Sequence, residues 1–332
     1  MELKPLQTFK TLAEELHFTR TADRMNYAQS SVTAQIQGLE AEFGVRLFER
    51  IGKRVRLTGA GERLLHYAND ILRLVEEART AVPGDTEPRG RLTIGAVESL
   101  CTYRLTPVLA EYRSRFPQVE LVFRTGICAD LRKEVAQGNL DVAFTLEETG
   151  TDDRLVFEVL LEERMLVLAQ SGHPLTRKNG VHAADLEGET ILVTEPGCSY
   201  RTMFEQSLVA AGLRSPKIEF ASVEAIKQCV ISGLGVTLLP MVAVVEEIQL
   251  EQLSALHWAD PGFPVVTQIC WHKDKWMSPA LQAFVDLARR FLREGANTAG
   301  GVSQRRTAAP PRNNPAVSLN RRLADGASPG AD

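Results

Sequence analysis

The stretch YAQSSVTAQIQGLEAEF, residues 27–43, admits one regular structure. Val32, Ile36, Leu39 and Phe43 recur at i, i+4, i+7 and i+11, and only an α-helix gathers them into one apolar stripe. The other face is unusual. It carries Gln29, Ser30, Ser31, Thr33, Gln35 and Gln37 where a solvated helix normally carries Glu, Lys and Arg. Ser and Thr are poor helix formers, so on an outer face they make sense when a second surface uses their hydrogen-bonding groups. The edges of base pairs are such a surface.

The flanking sequence supplies the rest of a small head over residues 1–58. Leu6, Phe9, Leu12, Ala13 and Leu16 give a first helix its apolar face, with Pro5 near its start. FTRTADRM predicts a second, shorter helix, and Asn26 with Tyr27 a tight turn into the third. Helix, brief turn, helix is the helix-turn-helix pattern. RLFERIGKRVRLT then places Arg46, Arg50, Lys53, Arg54 and Arg56 within eleven residues, against the single acid Glu49. Val55 and Leu57 alternate with the basic residues, which predicts a short two-stranded wing.

Thr58 begins the next helix, with Glu62 in its first turn. Along residues 59–82, Leu64, Ala68, Ile71, Val75, Ala78 and Val82 step by 4, 3, 4, 3 and 4, a heptad seam widened by Leu65 and Leu72. The seam at Leu64, Ala68, Ile71, Val75 and Ala78 predicts dimerisation through a second copy, and PGDTEPRG (83–90) a hinge. Beyond it β-type runs alternate with helical ones: RLTIGAV, VELVFRTG and LDVAFTL, then ETILVTEP, KIEFA and GVTLLP. That alternation predicts parallel sheet built from βαβ units. The chain crosses to the second set at LVFEVLLEERMLVLAQ and returns at VVTQICWHKD. The expected architecture is therefore α plus α/β: lobe I at 91–161 plus 268–295, lobe II at 162–267, and a cleft between them. Residues 296–332 lack any aromatic residue and contain four prolines, so they predict a disordered tail.

Composition narrows the function classes. A net charge of −4 makes any nucleic-acid argument local, and 44% hydrophobic with 24% charged residues is ordinary for a soluble protein. The uncharged run at 228–245 contains Gly233, Gly235 and Pro240 and reads as a strand between helices, not a membrane span. The start of the chain has no apolar signal core, and a cytoplasmic setting is expected. Five scattered cysteines without a CxxC pair argue against zinc and a disulfide framework, and no metal or cofactor is expected. Cys101, Cys128, Cys229 and Cys270 read as core residues. There is no HExxH, GxSxG or GxxxxGK, and the six histidines are scattered, so the chain is not expected to be an enzyme. A solute-binding protein is a second alternative, but it would need neither basic wing nor seam.

EELHFTRTADRMNYAQSSVTAQIQGLEAEFGVRLFER followed by LTGAGERLL resembles the N-terminal region of LysR-type transcriptional regulators, and VISGLGVTLLP resembles the stretch closing their second lobe. The resemblance covers about residues 1–295. Two positions depart from the common pattern, Ala28 where Ser is frequent and Ser30 where Pro is frequent. It implies a winged helix-turn-helix, a dimerising linker helix and an effector module like periplasmic solute-binding proteins. Partners then include promoter DNA, a small-molecule effector, further copies in a homodimer or homotetramer, and RNA polymerase.

Expected DNA-facing residues are Thr19, Arg20, Gln29, Ser30, Ser31, Thr33, Ala34 and Gln35, with Arg50, Lys53, Arg54 and Arg56 on phosphates. Gln29 near the helix start can reach adenine N6 and N7 together. Strand-to-helix junctions expose N–H groups that suit anions, which points to Glu98, Ser99 and Thr102, Thr125 and Gly126, Thr145, and Cys198, Ser199, Tyr200 and Arg201. By the resemblance, Ser99 and Thr102 contact the effector. An anionic effector, such as a carboxylate, is the expectation. Cys198 beside Arg201 raises a redox alternative, since the peroxide-sensing branch has a cysteine in a similar place; Ser207 stands where its resolving cysteine is expected.

Overall fold

The computed structural model describes residues 2–52, 54–82 and 87–300, the side chains at 76, 77, 80, 81 and 294–300 aside. Lys53, residues 83–86 of the expected hinge and residues 301–332 of the expected tail lie outside the described residues.

The head is built from α1 (Leu3–Glu15), α2 (Phe18–Met25) and α3 (Gln29–Phe43). Leu6, Phe9 and Leu12 of α1 bury against Val32, Ile36 and Leu39 of α3. Two residues of the predicted stripes fall outside this core. Leu16 takes a left-handed φ of 48° as the C-cap of α1 and is exposed. Phe43, the last residue of α3 before Gly44 at φ 66°, is exposed as well. Both sit where the backbone leaves the helix, so the helical spacing no longer aims them inward. Asn26 at φ 53° makes the α2–α3 turn.

β1 (Phe48–Ile51) and β2 (Arg54–Leu57) form the antiparallel wing. Glu40 ties α3 to it, its carboxylate accepting the N–H groups of Leu47 at 2.8 Å and Phe48 at 3.2 Å. α4 (Gly59–Ala81) is capped by Thr58, whose Oγ1 accepts from the Gly61 N–H at 3.0 Å and donates to the Arg46 carbonyl at 2.7 Å. A Cβ on Gly61 would lie 2.2 Å from the Leu47 carbonyl oxygen, so this crossing requires glycine.

The seam on α4 needs correction. Leu64 and Ala68 are buried in the head's own core, with Leu65, Ile71 and Leu72 packed partly against it. Leu64 and Ala68 fill the space under α1 and are not free for a second chain. Tyr67 and Leu74 are the large apolar side chains that α4 leaves exposed, one heptad apart.

The rest of the chain forms two five-stranded sheets. Lobe I holds β3 (Gly90–Ala96), β4 (Val119–Thr125), β5 (Val142–Glu147) and β6 (Leu155–Glu163), with α5 (Glu98–Leu100), a π turn at Cys101–Leu105, α6 (Thr106–Arg115) and α7 (Cys128–Ala136). Lobe II holds β7 (Met165–Gln170), β8 (Ile191–Val193), α8 (Ser199–Ala210), β9 (Lys217–Glu219), α9 (Val223–Ile231), β10 (Val236–Pro240), α10 (Val245–Gln249) and β11 (Leu253–Ala255). β12 (Val265–His272) and α11 (Pro279–Gly300) return to lobe I. The strand orders are β4-β3-β5-β12-β6 and β11-β7-β10-β8-β9. β3 runs parallel to β4 and β5, as βαβ connections require, while β12 is antiparallel to both its neighbours.

Three boundaries differ from the expected ones. β6 continues to Glu163 and β12 begins at Val265, so the crossings fall at 164 and 256–264 instead of at 161/162 and 267/268. α11 runs to Gly300, past the expected start of the tail at Ala296. Where the crossing strands meet, Glu163 is buried. Arg104 donates to both its oxygens at 2.8 and 2.7 Å, and Thr267 donates to it at 2.6 Å. Removing one partner of such a pair typically costs ~3–5 kcal/mol, because the other charge stays buried.

Candidate nucleic-acid interface and effector cavity

On α3 the N-cap residue Ala28 provides no side-chain cap, so the helix start keeps backbone donors for a phosphate. Gln29, Ser30, Ser31 and Ala34 are exposed around that start. Thr19 of α2 is exposed too, and its hydroxyl donates to Gln29 Oε1 at 3.3 Å, which holds the amide at the outer surface. The Thr33 hydroxyl donates to the Gln29 carbonyl at 3.0 Å, leaving its methyl as the free group.

Gln35 is the exception in this set. Its Oε1 accepts from the hydroxyl of Thr8 at 2.6 Å, and Thr8 is fully buried. Gln35 is half-buried and serves the head's interior, because Thr8 needs an acceptor there. Arg20 is likewise engaged: its guanidinium donates to the Glu15 carbonyl at 2.6 Å, although most of the side chain is solvated. On the wing Arg46, Arg50, Arg54 and Arg56 are exposed, with Val55 and Leu57 half-buried on the same strand as the last two. Arg50 lies over the Phe18 ring at 5.1 Å, which orients its charge. Lys53, outside the described residues, is not placed with them.

The second site is a cavity of about 30 Å³ between the lobes, room for one or two waters. Lobe I contributes Glu98, Ser99, Gly126 and Cys128; lobe II contributes Thr194, Glu195, Cys198 and Tyr200. Of the expected residues, Glu98, Ser99, Gly126, Cys198 and Tyr200 line it, and five do not. Thr102 and Thr125 are exposed elsewhere, and Thr145 is buried within lobe I. Ser199 is not part of the wall; its side chain interacts with Cys128 instead. Arg201 is engaged in lobe II, its guanidinium meeting Glu205 at 3.1 Å, Glu219 at 2.9 Å and the Thr194 carbonyl. Cys128, read as a core residue, is buried as expected and also forms part of the cavity wall. Thr194 and Glu195 follow β8, and Val223 follows β9, so the strand-end rule that selected Ser99 would have found them.

The charged side chains of the cavity wall are carboxylates. No Lys or Arg lines it, whereas Glu98 and Glu195 do. The helix starts at Cys128, Ser199 and Val223 converge on it. Each brings a partial charge of about +0.5, so the three sum to about +1.5 against two carboxylates. Glu98 reaches the start of α9, where the Val223 N–H stabilises its charged form. Burial nevertheless pushes its carboxyl up, with repulsion from Glu224 and Glu195 adding to the shift. One of its oxygens is buried without a hydrogen-bond partner.

Both thiols are poor nucleophiles in this setting. Burial pushes Cys198 up, against an opposing hydrogen bond from the Arg201 N–H, and Cys128 up to about 12, while the Arg201 guanidinium is engaged by Glu219. Across the lobes, Tyr103 donates to Glu224, while Lys227 is buried between Glu224 at 2.8 Å and Glu247 at 2.6 Å. A Cβ on Gly197, at φ 94°, would meet Ile127 Cδ1 at 2.5 Å, so the lobes close tightly there.

Four of the histidines have structural partners. His17 and His173 accept backbone N–H groups at helix starts, and His272 accepts one from Asp274. His182 lies 2.7 Å from Asp260, a pair that holds the turn at Ala183, and His173 lies 3.3 Å from Glu189. Among the described residues no cluster suited to a metal ion occurs, and no helix is long and apolar enough to cross a membrane.

These features define a winged helix-turn-helix regulator with a two-lobed binding module. Residues 3–62 match the bacterial regulatory helix-turn-helix protein model of the lysR family, and residues 85–293 match the LysR substrate binding domain. The chain belongs to the LysR family of transcriptional regulators. It is 48% identical over 294 residues to the uncharacterized HTH-type transcriptional regulator YwqM of Bacillus subtilis, covering 88% of this chain and 100% of that protein. To the Bacillus subtilis HTH-type transcriptional regulator GltR it is 34% identical over 286 residues, 86% of this chain and 95% of that one. Among solved structures, a full-length cysteine-to-aspartate variant of OxyR from Pseudomonas aeruginosa is similar with a TM-score of 0.69 at 25% identity, over 88% of this chain and 95% of that one. Full-length CbnR complexed with its target DNA shares the fold at 22% identity and a TM-score of 0.58, over 87% and 99% of the two chains.

Proposed function

We propose that this regulator reads its operator through Gln29, Ser30, Ser31 and the Thr33 methyl in a major groove. Arg50, Arg54 and Arg56 grip the flanking phosphates, and a small effector between the lobes controls the affinity. The observation that carries the reading is the exposed, uncharged and side-chain-uncapped start of α3 beside a wing of exposed arginines. A good bidentate base contact discriminates by about 1–3 kcal/mol, while phosphate contacts supply salt-dependent affinity without sequence information. Two copies paired along the outer face of α4, at Tyr67, Leu74, Ile71, Val75 and Ala78, would present two heads to successive half-sites. RNA polymerase is the partner through which the bound regulator acts.

The effector, for which the lobes must part beyond the 30 Å³ between them here, is read as a small uncharged or amine-bearing molecule that donates hydrogen bonds to Glu98, Thr194 or Glu195, not as the carboxylate expected from the sequence. The absence of a cation from the cavity wall supports this, and so does the unpartnered Glu98 oxygen. The raised thiols weigh against the redox alternative. Gel shifts with genomic fragments, followed by calorimetry with a panel of amines, amides and carboxylates, test both parts. A protein that retards no genomic fragment at low salt overturns the first; tightest binding by a simple carboxylate overturns the second.

A further inference from the structure

A larger cavity, about 360 Å³, lies away from the interlobe cleft, between α1, α4 and the strands β3 and β4 of lobe I. That volume falls in the range of pockets for small organic ligands. Seven lysines and arginines line it, against the two acids Glu14 and Asp141. Both acids are already engaged. Glu14 pairs with Arg24 at 2.9 Å, and Asp141 accepts from Lys275 at 2.6 Å and from the Thr93 N–H at 2.7 Å. Among the described residues Lys10 and Arg91 have no ion pair, and Arg124 has only Glu134 at 3.8 Å. Burial pushes the Lys10 ammonium down against the opposing pull of Glu14, and Arg91, Arg124 and Arg24 add to the shift.

A second, independent feature points into the same space. Asn69 of α4 is 3% exposed, lines the cavity, and its Oδ1 has no hydrogen-bond partner. A buried, unmatched acceptor is costly unless something donates to it. Cations alone would suit any anion; cations with an amide acceptor suit an anion that also carries hydroxyl groups.

We propose that this cavity is a second ligand site that takes a small hydroxylated phosphate ester, its phosphate held by Lys10, Arg91 and Arg124 and a hydroxyl donating to Asn69 Oδ1. Such a ligand touches head, linker helix and lobe I at once. It therefore selects one angle between the DNA-reading head and the effector module, and alters DNA affinity without entering the interlobe cleft.

The test uses the full chain, with ribose 5-phosphate and inorganic pyrophosphate as probes, and ribose and sulfate at matched ionic strength as controls. Calorimetry is expected to detect both phosphate probes at millimolar concentration and neither control. The Arg91→Ala, Arg124→Ala double variant should weaken both probes by roughly tenfold or more, since two charge-assisted bonds are lost. Asn69→Leu should weaken ribose 5-phosphate alone and leave pyrophosphate unchanged, a result that general loss of folding would not give. Equal binding of sulfate, or no phosphate binding at all, overturns the proposal. Displacement of ribose 5-phosphate by a short non-operator duplex also overturns it, because the cavity is then part of the DNA track.

Discussion

The head and the interlobe cleft spend their polar residues in opposite ways. On α3 the residues assigned to DNA are exposed, uncharged and lightly engaged, with Gln29 held only by Thr19. In the cleft, Ser99, Thr194 and Tyr200 are buried, and Glu98 meets repulsion from its acidic neighbours. An interface to a large rigid partner has to protrude, whereas a cavity for a small molecule withdraws its hydrogen-bonding groups from water and accepts the cost. Exposure marks the first site; unsatisfied burial marks the second.

The largest expected effect tests whether α4 belongs to the head. Ala68→Asp puts a charge into the core shared by α1, α3 and α4, and should cost the head more than about 3 kcal/mol. Thermal melts followed by circular dichroism would detect it. A variant that stays as stable as the parent but becomes monomeric would return Ala68 to a seam between chains.

Next comes the contrast between two glutamines of one helix. Gln29→Ala should weaken operator binding by about 1–3 kcal/mol with little change on random DNA. Gln35→Ala should instead lower stability by about 1–3 kcal/mol, because Thr8 loses its buried acceptor, and leave base preference unchanged. Footprinting together with denaturant titration separates them. Arg54→Ala should weaken all sequences alike and reduce the salt slope by about 1.

A smaller effect is expected at Glu98. Its folded carboxyl titrates above the ordinary 4.5, so its burial is tolerated at low pH. That stability is lost as pH rises from 4.5 through the raised value, and is flat above it. Glu98→Gln should therefore raise the melting temperature near neutral pH and flatten this dependence; an unchanged pH profile would mean the carboxyl is solvated. Smallest of all, Arg201→Ala should leave effector affinity within error, since its partners lie in lobe II.

Much of the head was legible in the sequence because its signals are local. The stripe of α3, the turn at Asn26 and the alternating wing each fit within a few residues, and each follows from spacing alone. The misreadings share one cause. Leu16 and Phe43 keep the spacing of their helices but sit where the helix ends, and Gln35 obeys the period while Thr8 on a neighbouring element decides what it faces. Leu64 and Ala68 keep a true heptad spacing, but α1 claims them before a partner chain can. In the cleft, Arg201 looked like an anion hook because Glu219, eighteen positions away in sequence, could not be seen to hold it. Glu195 stands near the end of ETILVTEP, where the strand-end rule points just as it does at Glu98.

The burial of Leu64 and Ala68 has a mechanical consequence. The first turns of α4 are keyed into the reading head, so helix and head rotate as one stiff lever, and its fulcrum can lie no earlier than about residue 72, where contact with the head core ceases. Any rotation of the first turns of α4 is therefore shared by α3, which packs in the same core.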